Sequence, residues 1–347
     1  MKIFPRRPPR GIALLIVMIT VFILTALVGA FTYQMKIETK LARNDSYETE
    51  LEWIGRSGVE YCRWILAQQL NCPTPYDALN QTWAVGQPMG DCATNGPLAA
   101  VLTEVHLGGG SFTWKITDCE RKFNINALVH SPEVLDQAFS MMGVDAGEYP
   151  QIVASIQDWI DPAKDPRIGG AESDYYQGLT PPYNAKNGPI DDLSELLLVK
   201  GVTPEMYDGS MATNAPPNSK EPAYPVHLKD LFTTLSDGKI NINTASATTL
   251  ELIPGMDATM AQCIIQQRAG PDGVDGTDDD VPFHNPGELV NCVPPALMSR
   301  MQQLCDVRSH TFEVEITAQI GGYQRKYDAV IGRNTPQDIQ VLTFHAE

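Results

Sequence analysis

The chain has 347 residues, 43% of them hydrophobic, and carries 25 Lys and Arg against 42 Asp and Glu, a formal net charge of −17. That length allows one large or two modest domains with a sizeable core, and the composition excludes a disordered chain. The acidic balance argues against nucleic acid as a partner of the body and favours cations and basic protein surfaces.

Residues 1–11 read MKIFPRRPPRG, a basic, proline-rich stretch unable to make a stable helix. Without its Lys2, Arg6, Arg7 and Arg10, 21 basic residues face 42 acidic ones, a charge of −21. No charge then occurs from Ile12 until Lys36, long enough to cross a hydrocarbon core of ~30 Å. Positive charge before this run and export of the residues after it obey the positive-inside rule. A cleaved signal peptide needs a shorter apolar core and a small-x-small site, for which Val28-Gly29-Ala30 is a weak match. Here the apolar run passes without a break into an amphipathic pattern: Ile37, Leu41, Tyr47, Leu51, Ile54, Val59, Cys62, Leu66 and Leu70. Steps of three to five, with one of six between Leu41 and Tyr47, predict one helix from about Ile12 to about Leu70, on the order of 90 Å long, half in lipid and half on a globular domain.

Residues 71–110 form a loop-rich stretch. Phe112 to Thr117 and Phe312 to Thr317 alternate apolar and polar residues as half-buried strands do. Gly321-Gly322 is a turn signal, Tyr323 to Ile331 a return strand, and Val341 to Phe344 one more. The expected fold class is α+β: a long N-terminal helix packed on a small antiparallel sheet, with a large all-helical domain inserted at about Phe123 to Asp306. The insertion holds a repeat, since Lys122-Phe-Asn-Ile-Asn-Ala127 matches Lys239-Ile-Asn-Ile-Asn-Thr-Ala245. Each copy leads into a helix–turn–helix pattern. The second runs from Ser246, a plausible N-cap, through Ile253-Pro-Gly-Met256 to a helix over Ala258 to Arg268. The first is looser, with Gly143 in its turn and Ile152 to Trp159 as its second helix. Ile190 to Gly201 and Phe283 to Val293 look like fragments of similar units.

The seven cysteines (Cys62, Cys72, Cys92, Cys119, Cys263, Cys292 and Cys305) form no CxxC pair and no zinc-finger spacing. Disulfides are the natural reading in an exported protein, with at least one thiol left over; Cys62, inside the helical pattern, reads as a plain buried residue. The six histidines are scattered without a metal-ligand pattern, and no catalytic set is read from the chain. Two acidic clusters suggest calcium, which takes six to eight oxygens. The first is Asp158, Asp161, Asp165, Glu172 and Asp174, on a loop broken by Pro162, Pro166, Gly169 and Gly170. The second is Asp272, Asp275, Asp278, Asp279 and Asp280, with interleaved glycines. Neither copies the twelve-residue EF-hand loop, and a solvated acidic loop is the alternative.

The basic leader, the glycine and the uncut apolar helix resemble the type IV pilin and pseudopilin superfamily. That resemblance implies cleavage by a prepilin peptidase between Gly11 and Ile12, methylation of the new N-terminus, and retention of the helix for filament packing. Most members have Glu at the fifth mature position; here it is Ile16, which fits the tip of a filament better than its shaft. The segments FNINAL, DWID…GAESDYY…PPYNAKNGPIDDLSELLLVKG, INTASATTLELIPG and VRSHTFEVEITAQI resemble the type II secretion minor pseudopilin K family across nearly its whole length. The implied plan is a leader (1–11), a transmembrane segment (12–35), the first part of a pseudopilin domain (36–122), the helical insertion (123–306) and C-terminal strands (307–347). The family further implies calcium in the insertion, minor pseudopilins I and J as partners, and a single pass of the bacterial inner membrane with the globular part in the periplasm. The tandem hairpins resemble helix-hairpin-helix motifs, so a membrane-anchored DNA receptor is the second reading. Asp257, where that motif has its second glycine, would repel a phosphate and argues against it.

Overall fold

Residues 12–94, 96–209 and 224–346 are described by the computed structural model. Helix α1 runs unbroken over Ile12–Leu70, 59 residues, about 88 Å at 1.5 Å per residue. Its apolar N-terminal half is exposed throughout. Further along, one face turns inward and Leu51, Ile54, Val59, Cys62, Ile65 and Leu66 become buried, the helical stripe that the spacing of apolar residues calls for.

That stripe packs on a five-stranded antiparallel sheet of β1 (Glu104–Leu107), β2 (Gly110–Asp118), β3 (Thr311–Ile320), β4 (Tyr323–Thr335) and β5 (Asp338–Ala346), in that spatial order. β3 buries Phe312, Val314, Ile316, Ala318 and Ile320 and exposes Glu313 and Glu315, the two-residue alternation of a sheet with one wet face. The two-residue turn Gly321-Gly322 joins Ile320 to its register partner Tyr323. Helix and sheet touch closely. A Cβ on Gly55 would lie 2.5 Å from the Tyr327 ring, so only glycine permits this approach.

The strands run alongside the helix. Tyr47 meets Tyr323 at 5.1 Å between ring centroids, Gly55 meets Tyr327, and Asp77, just past the helix end, meets Arg333 at 2.6 Å. The end of β2 and the start of β3 therefore lie at the C-terminal end of α1, opposite its apolar half. The insertion leaves and rejoins the sheet there.

The insertion is two copies of one unit. The first opens with Phe123–Asn124, continues through α2 (Pro132–Met142), α3 (Tyr149–Ile160) and the 3₁₀ turn Leu193–Leu198, and closes with Phe232–Thr233 pairing in parallel with its opening strand. The second opens with Ile240–Asn241, continues through Ala247–Leu250, α4 (Ala258–Arg268), the 3₁₀ turn Pro286–Asn291 and α5 (Pro295–Leu304), and closes with Cys305–Asp306 in the same way. The repeated asparagines explain the repeat. Asn124 and Asn241 accept from the backbone of Asn126 and Asn243. Asn126 then exchanges two bonds with the backbone of Ile190 at 3.0 and 2.7 Å, and Asn243 two with Phe283 at 2.9 Å each. Ile190 to Gly201 and Phe283 to Val293 are thus the third segments of the two units. Asp192 and Asn285 cap their turns.

Two disulfides form, Cys72–Cys92 beside the end of α1 and Cys263–Cys292 inside the second unit; Cys62, Cys119 and Cys305 are free and buried.

Candidate membrane helix, acidic loops and hairpins

Of the expected cleavage pair, Gly11 lies outside the described residues and Ile12 opens α1. An eighteen-residue stretch of α1 reaches a mean hydropathy of 2.9 with none of it buried, so by length and composition this helix can cross a membrane. The hydroxyls of Thr20, Thr25 and Thr32 donate to carbonyls three or four residues earlier, at 2.9, 2.8 and 2.7 Å, which satisfies them without water. Ile16 is exposed on this surface and offers no charge to a neighbour.

The first acidic loop follows α3. Asp158 is buried, and its carboxylate accepts from the Arg167 guanidinium at 2.7 Å and from the backbone of Arg167 and Ala171 at 3.1 and 3.0 Å. Arg167 also pairs with Asp161 at 2.5 Å. A Cβ on Gly170 would lie 1.9 Å from an Asp158 oxygen, so a glycine is what lets the loop fold over this carboxylate. Glu172 is buried and accepts from Asn187 Nδ2 at 3.1 Å. Burial first, with the charges of Asp158 and Asp161 adding to it, raises its carboxyl above the ordinary value. Asp165 and Asp174 are exposed. Sequence reasoning does not single out the Arg167 counter-ion, although an arginine nine residues after Asp158 in a tight loop is a readable signal. Nor does it find Asn187, whose Oδ1 is buried with no hydrogen-bond partner among the described residues. Glu172, Asp174 and Asn187 line one cleft.

In the second loop Asp275 pairs with the buried Arg268 at 2.7 Å. Arg268 in turn donates to the carbonyls of Ile242 and Ala245, tying the loop to the ININ turn. The other carboxylates bond within the loop: Asp272 accepts from Val274 N, Asp279 from Asp272 N and Thr277 Oγ1, and Asp280 from Gly276 N. The Thr277 hydroxyl, ahead of smaller contributions, holds Asp279 below its ordinary value, whereas burial raises Asp280. Asp278 is exposed. Among the described residues no three His, Cys, Asp or Glu side chains converge as a ready set of metal ligands. The test of fit for a hard cation therefore falls on other oxygens. The unpartnered Asn187 Oδ1 beside Glu172 suits one. Asp158 and Asp161 are already held by a guanidinium, and the second loop leaves most of its carboxylates engaged by backbone N–H groups.

In the second hairpin Gly255 has φ +94°. Asp257 is the N-cap of α4 and accepts from Met260 N at 2.8 Å. Its carboxylate occupies the helix N-terminus that would otherwise face a phosphate. The hairpin carbonyl of Pro254 receives Arg300. In the first hairpin Gly143 ends α2 in the left-handed region, with φ +81°.

Residues 121–210 match the family model described as type II secretion system (T2SS), protein K. The chain is 28% identical over 209 residues to the putative type II secretion system protein K of Escherichia coli K12, 57% of this chain and 59% of that one. It thus spans less than two thirds of that relative. It is 25% identical to type II secretion system protein K of Pseudomonas aeruginosa PAO1 over 79% of this chain and 76% of that one. With the protein of the same name from Aeromonas hydrophila it is 21% identical over 96% and 95%. Its fold is that of a chain in the crystal structure of the GspK-GspI-GspJ complex from the enterotoxigenic E. coli type 2 secretion system, with a TM-score of 0.65, 19% identity, and cover of 88% of this chain and 99% of that one.

Proposed function

We propose that this chain, a member of the type II secretion protein K family, is a minor pseudopilin at the tip of a type II secretion pseudopilus, where it initiates or caps the filament that drives folded proteins across the outer membrane. The observation that carries this reading is the position of the insertion. It grows from the end of the sheet beside the C-terminus of α1, while the apolar half of α1 points the other way. In a filament held together by its long helices, bulk at that end blocks a subunit from adding above, and Ile16 gives no carboxylate for one to bind. Minor pseudopilins I and J are the expected neighbours. Anchoring in the inner membrane with the globular part in the periplasm agrees with two disulfides, which persist in oxidising compartments.

Calcium belongs to this proposal. In the first loop Glu172 and Asn187 would hold it; in the second, the Asp272 to Asp280 carboxylates would have to turn from backbone N–H groups towards the ion. Bound there, the ion would offset carboxylate repulsion and order the loops. Mass spectrometry of the N-terminus tests the filament reading: a methylated chain beginning at Ile12 is expected, and an intact leader or a cut near Ala30 would refute it.

A further inference from the structure

The insertion and the sheet are joined through a buried polar cluster that none of the acidic loops touches. Asp118 ends β2 and is 2% exposed; Glu120, two residues on, is 1% exposed. The Glu120 N–H donates to Asp118 Oδ1 at 2.8 Å, so the two carboxyl groups share one buried space. Two ionised carboxylates in contact and away from water repel strongly, so the pair keeps one proton between them. Every other bond of these two carboxyls crosses between parts of the fold. Asp118 accepts from the Thr244 hydroxyl of the second unit and from the Ser309 hydroxyl, at 2.7 Å, on the segment that returns to β3. Glu120 accepts from Thr311 N of β3 at 3.1 Å and from Asp237 N of the insertion at 3.4 Å. Asn241, at the start of the second unit, donates to Ser309 Oγ at 2.8 Å and to the Asp77 carbonyl at 3.0 Å.

Among the described residues no Lys or Arg forms an ion pair with Asp118 or Glu120. Arg333, from β4, is fully buried beside the cluster; it pairs with Asp77 at 2.6 Å, donates to the Ser309 carbonyl and lies 4.5 Å over the Phe312 ring, and its Nε and Nη1 have no hydrogen-bond partner among the described residues. Asp237 in the insertion and Glu313 in β3 are negative and sit against Glu120 and Cys119 respectively. Arg121 follows Glu120 in the chain, and His310, between Ser309 and Thr311, meets the Arg333 carbonyl through Nδ1 at 3.2 Å. On the insertion side Lys239 approaches Asp306 at 3.9 Å. Lys122 donates to the Lys229 carbonyl.

We propose that the single proton shared by Asp118 and Glu120 is a latch: it locks the helical insertion onto the sheet, and its loss frees the joint while each part stays folded. In the closed joint, burial and then the Asp118 charge push Glu120 up to about 9. Once the joint opens, Glu120 reverts to about 4.3. The closed joint therefore binds the proton more tightly. Its stability is full below the open value, is lost as pH rises towards about 9, and changes no further above that. The latch predicts that the ratio of open to closed joints rises about tenfold per pH unit across that window.

Three buried thiols report on it. Cys119, between Asp118 and Glu120, lies at the joint, whereas Cys305 lies in the core of the insertion and Cys62 under the sheet on α1. The full chain in detergent is pulsed with iodoacetamide between pH 6 and 10. Each cysteine is quantified by mass spectrometry, and its rate is corrected for thiolate fraction with a cysteine peptide at the same pH. The expected result is a steep rise of corrected labelling at Cys119 up to about pH 9, a plateau above it, and continued protection of Cys305 and Cys62. The variant Glu120→Gln, which donates as the protonated acid does, is expected to remove the slope and leave Cys119 protected. A corrected rate at Cys119 that is flat with pH in the unmodified chain overturns the proposal, whatever the variant does. So does labelling of Cys62 and Cys305 in step with Cys119, which means global unfolding. A slope in Glu120→Gln equal to the parent's likewise refutes the role of this carboxyl.

Discussion

The two asparagines that hold the repeated units together differ in burial, and that difference sets a measurable asymmetry. Asn243 is 2% exposed, and Phe283, whose backbone it binds twice, is 1% exposed. Asn243→Ala leaves one buried N–H and one buried C=O without partners. Each orphan costs about 1–3 kcal/mol, so the pair costs about 4 kcal/mol. Asn126 makes the same two bonds to Ile190 but is only half-buried. Ile190 is itself 2% exposed, but removing the half-exposed Asn126 side chain opens a gap on the solvent side through which water can replace it, so its cost is nearer the net value of two ordinary hydrogen bonds, roughly 1–3 kcal/mol. Urea unfolding of the detergent-solubilised chain, followed by circular dichroism, measures both. Amide exchange at Phe283 checks that the loss is local to the site. An Asn243→Ala variant within about 1 kcal/mol of the parent, or an Asn126→Ala variant costing more, would refute the assignment of these residues as the staples of the units.

Arg333→Leu strands the Asp77 carboxylate in the interior and should cost about 3–5 kcal/mol in the same assay; the double variant with Asp77→Asn should recover part of that loss. Chelation by EDTA should lower the melting temperature of the full chain. Saturating calcium at a hundredfold excess over its dissociation constant corresponds to about 2.7 kcal/mol, and an unchanged melting temperature together with no calcium by elemental analysis would remove the metal. Asp257→Gly restores the missing hairpin glycine but removes an N-cap. It should cost only a few tenths of a kcal/mol and should not confer salt-sensitive DNA binding in a gel shift, because the body remains strongly acidic.

The architecture is legible wherever periodicity is strong. The apolar steps from Ile37 to Leu70 give the long helix its end, and the alternation in Phe112 to Thr117 and Phe312 to Thr317 places the two central strands. The outer strand β1 escapes a reading of this kind. Its sequence Glu-Val-His-Leu is mostly exposed and pairs on one side only, so burial leaves no alternating pattern to read. The FNIN and ININ match is visible as a repeat. Its physical content, a side chain bonded to a third segment 64 or 40 residues away, exists only in three dimensions. The acidic loops show the same division. Their carboxylates are obvious in the sequence, whereas Arg167, Arg268 and Asn187 gain their importance from which oxygen they face. The carboxyl pair at the joint is invisible for a similar reason. Asp118 and Glu120 look like ordinary polar residues at a strand end until Thr244, Ser309 and Thr311 close over them.

The tip assignment is tested most directly by co-expressing the full chain with minor pseudopilins I and J and measuring the mass of the purified assembly. The account predicts a stable complex with a single copy of this chain, unable to add a further subunit at the end that carries the insertion. Repeated failure to bind correctly folded I and J, or incorporation of many copies along the length of a filament, would contradict it.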